Sequence, residues 1–220
     1  MLKQNQIVNL PNYVKSVNHN FLCQFSESIV FDNIINVALP EKFKESITGK
    51  EFMITIAKNY TKFNDKWESE YNEIIIKVLV EYKSEMYVYP VLTLVDDELS
   101  LIRGYLLGFE KYWLCNLALK PQNIFYSDDR LTIDFKIDSK IDKSISPNYD
   151  YPFILVDRDS NKLKKLEVSD YKCLKEYVPF STKATGGGTI YDKKYNVTRY
   201  SRTASEFTIE GLSDIYGDPE

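Results

Sequence analysis

Short segments rich in β-branched and aromatic residues recur along this chain, and turn-forming residues bound each of them. Such segments favour strands, because branched and aromatic side chains pack well on a pleated surface. Few helical patterns stand between them, so the chain is expected to form an antiparallel sheet that closes into a barrel or curls into two layers. The predicted strands are 21–31, 52–58, 73–82, 87–95, 123–126, 131–137, 151–156 and 165–168.

Length and composition agree with this reading. A chain of 220 residues suits one domain of the larger β-rich kind, or at most two small ones. Its 44% hydrophobic and 27% charged residues are ordinary for a globular protein, whereas 17 Tyr and 12 Phe favour a strand-rich fold. We therefore expect residues 1–220 to form a single α+β domain that is mostly antiparallel β.

Charge and cysteine usage exclude several classes of partner. A net charge of −4 and a pI near 5.3 argue against binding to nucleic acid or to an anionic membrane. Residues 1–15 lack the apolar core of a signal peptide, and no run is long enough to span a bilayer. Cys23, Cys115 and Cys173 form no disulfide or zinc pattern, and His19 is a single histidine in a polar run, predicted to lie at the surface. The expectation is a cytoplasmic protein without a metal or an organic cofactor.

The stretch from Tyr87 to Leu114 contains a strand followed by a helix. Pro90 places the strand at an edge or a bulge, because proline cannot donate to a ladder. Asp96 or Asp97 can cap the helix predicted over 97–107, and Gly108 can end it in the left-handed conformation. The helix should pack its apolar residues against the sheet, and they are Leu99, Ile102 and Leu106. Gly104 lies in mid-helix, where alanine is better by about 1 kcal/mol, so close approach of a neighbouring strand is expected there.

Lys111 is the candidate reactive residue of this stretch. It follows the helix in a predicted turn whose neighbours, Phe109, Tyr112, Trp113 and Leu114, are large and mostly apolar. An inward-packed turn would partly bury the lysine, and burial favours the neutral amine, a nucleophile that can form a Schiff base with a carbonyl compound. The alternative is a solvated lysine that meets the dipole of the helix C-terminus.

The run YVYPVLTLVDD, the helix after it and the element GFEKYW resemble the acetoacetate decarboxylase-like family, in which a strand, an Asp-containing turn and a short helix precede a G-(Y/F)-P-K-K element. The resemblance covers about 71–115 and implies a cone-shaped antiparallel barrel with flanking helices and a homo-oligomer. Acetoacetate decarboxylase is itself a standard example of an activated lysine. Position for position, its Schiff-base lysine falls on Lys111, and an upstream Tyr-x-Glu falls on Tyr71 and Glu73.

The resemblance implies roles for Lys111 and Glu73, and three aromatic residues of the chain are candidates for the pocket wall. Lys111 would form the Schiff base, and Glu73 would move protons or hold polar atoms of the substrate. The aromatic residues Tyr71, Tyr89 and Trp113 would line the core or the substrate pocket rather than react.

Three departures from the family pattern bear on the activity. Glu110 stands at the family's proline and can form an ion pair near Lys111, which would oppose a neutral amine. Tyr112 replaces the second lysine, so only burial is left to favour the neutral form. The decarboxylases carry an arginine on an early strand, whereas Arg103 is the first arginine here, so a substrate carboxylate needs another partner.

Two hypotheses follow. The first is a cofactor-independent Schiff-base lyase acting on a small oxo acid through Lys111, by decarboxylation or by aldol condensation with dehydration. The alternative is a non-catalytic barrel that binds a small ligand, or an interaction protein that retains the fold. A solvent-facing Lys111, or one paired with Glu110, would favour the alternative. A buried Lys111 that faces Glu73 across a pocket would favour the enzyme.

Three further segments carry structural expectations. A short helix is predicted from Asp32 to Pro40, and a polar loop that could reach over a pocket is predicted over 60–70. The GGG run in 183–194 lacks the Gly-Lys-Ser/Thr ending of a phosphate-binding loop, so a mobile hairpin loop or lid is expected instead.

Overall fold

The computed structural model describes residues 10–27, 51–63, 67–142, 151–158, 160–174 and 180–215. In this part of the chain twelve strands and one helix are found, and the helix predicted at 32–40 lies outside it. The elements in chain order are β1 Asn12–Phe25, β2 Glu51–Phe63, β3 Trp67–Tyr82, β4 Glu85–Val95, α1 Glu98–Leu106, β5 Lys111–Trp113, β6 Ala118–Lys120, β7 Asn123–Ser127, β8 Leu131–Asp142, β9 Ile154–Val156, β10 Leu163–Cys173, β11 Phe180–Ile190 and β12 Lys193–Asp214.

All twelve strands belong to one sheet. Its main path is β5-β4-β3-β2-β1-β12-β11-β8-β7-β6, and β10 pairs with both β12 and β9. Strand pairs are antiparallel except β4 with β5, which are parallel. The path has two free ends, so the sheet is open and does not close into a barrel. The predicted mostly antiparallel α+β class is confirmed, in its curled-sheet form.

The curl is visible in the aromatic core. Phe21 on β1 and Phe135 on β8 are separated by two intervening strands, yet their ring centroids are 4.3 Å apart. Adjacent strands lie about 4.8 Å apart, so a flat sheet would hold these rings far from each other. The sheet therefore wraps around one apolar face. Side chains from both halves fill the enclosed space, including Phe52, Ile54, Ile74, Ile76, Leu92, Tyr126, Tyr195 and Tyr200.

His19 lies at the border of this core, and the prediction of a surface residue is wrong. Its Nδ1 is 2.7 Å from the Tyr200 hydroxyl, and its ring stacks on the tyrosine ring. Burial lowers the pKa of His19 to about 4, with Arg202 adding a smaller repulsion. The polar sequence around it misled because alternate residues of β1 face opposite sides of the sheet.

The predicted polar loop over 60–70 is wrong for 60–63 and 67–70, while 64–66 lie outside the described residues. Strand β2 continues to Phe63 and β3 begins at Trp67, with Tyr60 paired to Glu70 and Lys62 paired to Glu68. Polar and charged residues at facing positions stabilise strand pairs, so the polarity here is that of paired strands. Strands β3 and β4 form a hairpin, and Lys83 and Ser84 form its turn with φ of 52° and 63°. Pro90 lies beside a register shift between β3 and β4, which agrees with the predicted bulge.

The glycine run at 186–188 lies inside β11 and is no lid. A Cβ on Gly187 would stand 2.1 Å from the Tyr195 carbonyl oxygen, and one on Gly188 would stand 1.9 Å from that of Thr132. Here glycine is required because neighbouring strands approach closely from both sides. In the described residues no helix is long and apolar enough to cross a membrane.

Candidate active site

Helix α1 has the predicted ends. The Asp97 side chain accepts a hydrogen bond from the Ser100 N–H at 2.7 Å, which caps the first turn, and its other oxygen accepts one from the Ser69 hydroxyl at 2.7 Å. Gly108, with φ of 95°, ends the helix as expected. These contacts fix α1 over the ends of β3 and β4.

The buried face of α1 is polar: Ser100, Arg103 and Gly104 are buried against the sheet. The predicted apolar packing is wrong for Leu99 and Ile102, which are each 47% exposed, whereas Leu106 is half-buried and packs against a small apolar cluster. The reason lies beneath the helix, where β3 and β5 present a carboxylate and an ammonium group. Buried charges require hydrogen-bonding partners, and an apolar helix face would supply none.

The sheet has a polar face opposite its aromatic core. Glu73 on β3 is paired with Ala57 on β2, and Ser16 on β1 is paired with Asn59 on β2. Ala57 and Asn59 are two residues apart, so all four side chains share this face. The buried polar residues of these strands and of β4 and β12 are Ser16, Asn20, Thr55, Asn59, Thr61, Glu73, Thr93, Ser201 and Ser205. Ser16, Asn59 and Glu73 are connected by hydrogen bonds, and the Thr55 hydroxyl donates to Asn20.

Lys111 and Glu73 meet on this face. Lys111 is the first residue of β5, a three-residue edge strand and not the predicted turn, and its Nζ lies 2.6 Å from Glu73 Oε1. The two side chains are only 7% and 10% exposed. Lys111 Nζ also donates to the Ser100 hydroxyl at 3.2 Å and lies 5.5 Å from the centre of the Phe109 ring.

The carboxylate is held in place from its other side. Asn59 Nδ2 donates to Glu73 Oε2 at 3.2 Å, and Asn59 Oδ1 accepts from the Ser16 hydroxyl at 2.6 Å. Glu73 therefore has one oxygen toward Lys111 and the other tied to a chain of side chains on β2 and β1. Such a chain orients a carboxylate and limits its rotation.

Gly104 is explained by the lysine side chain. A Cβ at this position would stand 2.0 Å from Lys111 Cε, 2.4 Å from Cδ and 2.7 Å from Nζ. The expected close approach is thus made by a side chain of strand β5. The stem of Lys111 runs across the helix at the one position where the helix has no side chain.

Glu110 does not contact the lysine ammonium group in the described contacts. Its carboxylate accepts hydrogen bonds from Arg158 Nη2 at 3.0 Å and from the Tyr112 hydroxyl at 3.0 Å. The Arg158 guanidinium in turn lies 3.8 Å from the centre of the Tyr105 ring. The carboxylate that replaces the family's proline is thus bonded to other partners.

The three aromatic residues predicted for the site lie in different places. Tyr71 is buried beside the pair, hydrogen-bonds the Ser100 side chain, and has its pKa raised by burial and by the Glu73 charge. Tyr89 lies in the aromatic core, where burial raises its pKa to about 12. Trp113 is 44% exposed and borders a groove of about 440 Å³ between α1 and β5. The groove is lined by Leu101, Ile102, Tyr105, Leu106, Lys111, Tyr112 and Trp113.

Solved structures resemble this arrangement of strands and helix, although no protein-family model and no curated protein sequence matches the chain. An acetoacetate decarboxylase superposes with a TM-score of 0.67 at 13% identity, over 98% of both chains. An acetoacetate decarboxylase-like enzyme from Sphingomonas wittichii RW1 gives 0.66 at 14% identity, over 98% of this chain and 97% of that one. The chain has the acetoacetate decarboxylase-like fold.

A third structure with this fold contains a bound ligand. The enduracididine biosynthesis enzyme MppR, complexed with the condensation product of pyruvate and imidazole 4-carboxaldehyde, superposes with a TM-score of 0.67 at 12% identity. The match covers 94% of this chain and 90% of MppR. The acetoacetate decarboxylase-like fold thus spans nearly the whole of each protein compared.

Sequence reasoning missed three residues of the site, Ser100, Asn59 and Arg103. Arg103 is 8% exposed, its Nε donates to the Leu99 carbonyl at 3.0 Å, and its charge acts on Tyr71. Burial lowers the pKa of Arg103 to about 10, and nearby Tyr71 and Asp97 act in the opposite direction. The spacing of Ser100, Arg103 and Gly104 at i, i+3 and i+4 was the available signal, because it places small and polar residues on one helical face. In the described residues no group of three or more His, Cys, Asp or Glu side chains is placed to hold a metal ion.

Proposed function

We propose that this chain is a cofactor-independent Schiff-base lyase that acts on a small oxo acid through Lys111. The observation that carries the proposal is the buried contact of 2.6 Å between Lys111 Nζ and Glu73 Oε1. Glu110, the residue whose pairing with Lys111 would have favoured a non-catalytic protein, is bonded to Arg158 and Tyr112 instead.

The pair can produce the nucleophile by proton transfer. Moving one proton from the ammonium group to the Glu73 carboxylate replaces two buried charges by a neutral amine and a carboxylic acid, which removes the desolvation cost of both. The amine then attacks the substrate carbonyl carbon, forming the C–N bond as the carbonyl π bond breaks. Protonation of the resulting hydroxyl by Glu73 releases water and leaves the iminium.

The iminium is an electron sink for either reaction. Loss of carbon dioxide from a 3-oxo acid places the electron pair in an enamine, whereas loss of a C3 proton from a 2-oxo acid makes the enamine that attacks an aldehyde. MppR, described with a condensation product of pyruvate, is a neighbour of the second kind, and the acetoacetate decarboxylases are named for the first. Both types of substrate belong in the test.

Arg103 is the proposed partner of the substrate carboxylate. We assign it the role of the family's early-strand arginine, because it lies on the buried face of α1 and, like Glu73, is close to Tyr71. A planar guanidinium can bind a carboxylate through two parallel hydrogen bonds. Tyr71 would complete the wall on this side, and Trp113 would border the entrance from the groove.

Borohydride trapping tests the proposal. The protein is incubated with pyruvate or acetoacetate, reduced, and digested for mass spectrometry; the adduct is expected on the peptide containing Lys111. Lys111→Arg should abolish it, because arginine supplies no neutral amine. The matched control is Lys58→Arg, since Lys58 is 65% exposed and lies on a strand of the same sheet. Glu73→Gln should reduce both trapping and turnover, because in this mechanism Glu73 accepts the lysine proton and later protonates the hydroxyl that leaves as water.

Two outcomes would contradict the proposal. One is the absence of an adduct with a broad panel of oxo acids, which would leave a small-ligand-binding protein with this fold. The other is an adduct spread over exposed lysines that Lys111→Arg does not change.

We further propose that the protein assembles as a homo-oligomer in the cytoplasm. The apolar side chains that α1 and β5 leave exposed offer a contact surface, formed by Leu99, Ile102, Tyr105 and Trp113. Free Cys115 and Cys173 are exposed, which suits a reducing compartment.

A further inference from the structure

Thr93 carries a buried hydroxyl group that has no hydrogen-bond partner among the described residues. The residue is fully buried on β4, and within the described residues its Oγ1 makes no hydrogen bond. Its backbone N–H is satisfied by the Glu110 carbonyl oxygen at 3.0 Å. Valine has the same shape without the unpaired group, so the hydroxyl is retained against a desolvation penalty.

The position of Thr93 relates it to the lysine. Thr93 is paired in register with Lys111, and Val95 is paired with Glu73, so the side chains of all four share one face. Strand β4 lies between β5 and β3. The lysine side chain must therefore cross β4 between Thr93 and Val95 to reach Glu73. Thr93 lies beneath this path, while Ser100 approaches Nζ from the helix above at 3.2 Å.

Both carboxylate oxygens of Glu73 already accept hydrogen bonds, Oε1 from Lys111 and Oε2 from Asn59. The Thr93 hydroxyl, in contrast, donates to no group among the described residues. A ketone that reacts with Lys111 brings an oxygen that becomes more negative as the C–N bond forms. A hydroxyl donor near that oxygen stabilises the developing charge, as oxyanion donors do in acyl transfer.

We propose that the Thr93 hydroxyl is a catalytic group that donates a hydrogen bond to the substrate oxygen during Schiff-base formation. This inference rests on the proposed function of Lys111. As the lysine nitrogen attacks, the C–N bond forms and the carbonyl π electrons move to oxygen, which Thr93 holds by a hydrogen bond. A proton from the attacking nitrogen, which carries a positive charge after the attack, then moves to this oxygen and gives the carbinolamine hydroxyl. The proton that later expels this hydroxyl as water comes from Glu73, so Thr93 keeps its own proton throughout.

The test compares substitutions that differ only in the hydroxyl. Thr93→Val is expected to slow borohydride trapping of pyruvate at Lys111 about 10-fold or more, by analogy with the removal of one oxyanion donor. Its denaturation midpoint should stay equal or rise, because an unsatisfied group has been removed. Thr93→Ser retains the hydroxyl and should restore most of the rate. Should Thr93→Val fail to fold, Thr93→Ala and Thr93→Ser make the same comparison.

Thr61→Val is the matched control. Thr61 is also buried, and its Oγ1 has no partner among the described residues. It is paired with Ser69 on β3, four residues along the strand from Glu73. Its loss should leave trapping unchanged. Equal trapping rates in Thr93→Val and Thr61→Val would overturn the inference while leaving the proposed function intact, as would equal slowing by Val and Ser. Failure of the wild-type protein to trap any oxo acid would overturn both.

Discussion

Gly104→Ala tests whether glycine is required at this helix position because the Lys111 side chain occupies the space of a Cβ. Alanine is the better residue in mid-helix by about 1 kcal/mol, so an unconstrained helix would gain that amount. Here the added methyl group would stand 2.0 Å from Lys111 Cε and 2.7 Å from Nζ. Because Gly104 is part of the buried face of α1, the lysine side chain would have to move.

The expected loss follows from what the lysine contacts. Moving Lys111 Nζ away breaks the contacts of 2.6 Å to Glu73 and 3.2 Å to Ser100. Removing one partner of a buried ion pair costs about 3–5 kcal/mol. Against a helix gain of about 1 kcal/mol, Gly104→Ala should lower the free energy of unfolding by about 2–4 kcal/mol.

Urea titration of four proteins measures this. They are the wild type, Gly104→Ala, Lys111→Ala with Glu73→Gln, and the combination of all three changes. Without the lysine stem and the carboxylate charge, Gly104→Ala should stabilise by about 1 kcal/mol. The sign of the effect therefore reverses between the two backgrounds, which is the mark of a direct interaction. Stabilisation by Gly104→Ala in the wild-type background would refute the reasoning.

Two further predictions concern stability at low pH and assembly. The pKa of His19 is about 4 in the folded protein against an ordinary 6.5, so the unfolded chain binds its proton first and stability is lost as the pH falls from 6.5 to 4. At about 1.4 kcal/mol per unit, the wild type should lose up to about 3 kcal/mol more over this range than His19→Gln; parallel pH profiles in urea titration would contradict this. For the proposed homo-oligomer, Ile102→Asp should lower the mass measured by light scattering with unchanged circular dichroism. Lys58→Asp, at a side chain that is 65% exposed outside this surface, should leave the mass unchanged. An unchanged mass in Ile102→Asp would exclude this surface.

The strands were predictable where local composition decides. The segment LTIDFKI at 131–137 alternates strictly between apolar and polar residues and lies within β8. Asp97 caps the start of α1 and Gly108 ends the helix, as the sequence predicted. The pairing of 60–63 with 67–70 was missed because the polarity of these residues matches that of a loop, and their strand structure depends on the partner strand. Strand order and curl could not be read, because they depend on contacts between distant residues such as Phe21 and Phe135.

The proximity of Lys111 and Glu73 was predictable, whereas the hydrogen bonds around the pair were not. Lys111 and Glu73 were identified by their positions in a resembling motif, and the structure brings them together. Asn59 and Ser16 were not identified, because an amide and a hydroxyl within strands carry no pattern of their own. The helix face was assigned to the wrong side for a related reason. Apolar spacing indicates the buried face only where the covered surface is itself apolar.

The replacement of the family's second lysine by Tyr112 has less effect on Lys111 than the sequence implied. Because β5 is a strand, neighbouring residues point to opposite faces. Lys111 shares the polar face with Thr93, whereas Tyr112 is paired with Leu94, packs against the aromatic core and lies under the Arg130 guanidinium at 4.6 Å. A lysine at position 112 of this chain would therefore extend away from Lys111, with the sheet between them. The nearby positive charge on the lysine's own face comes from the helix, at Arg103.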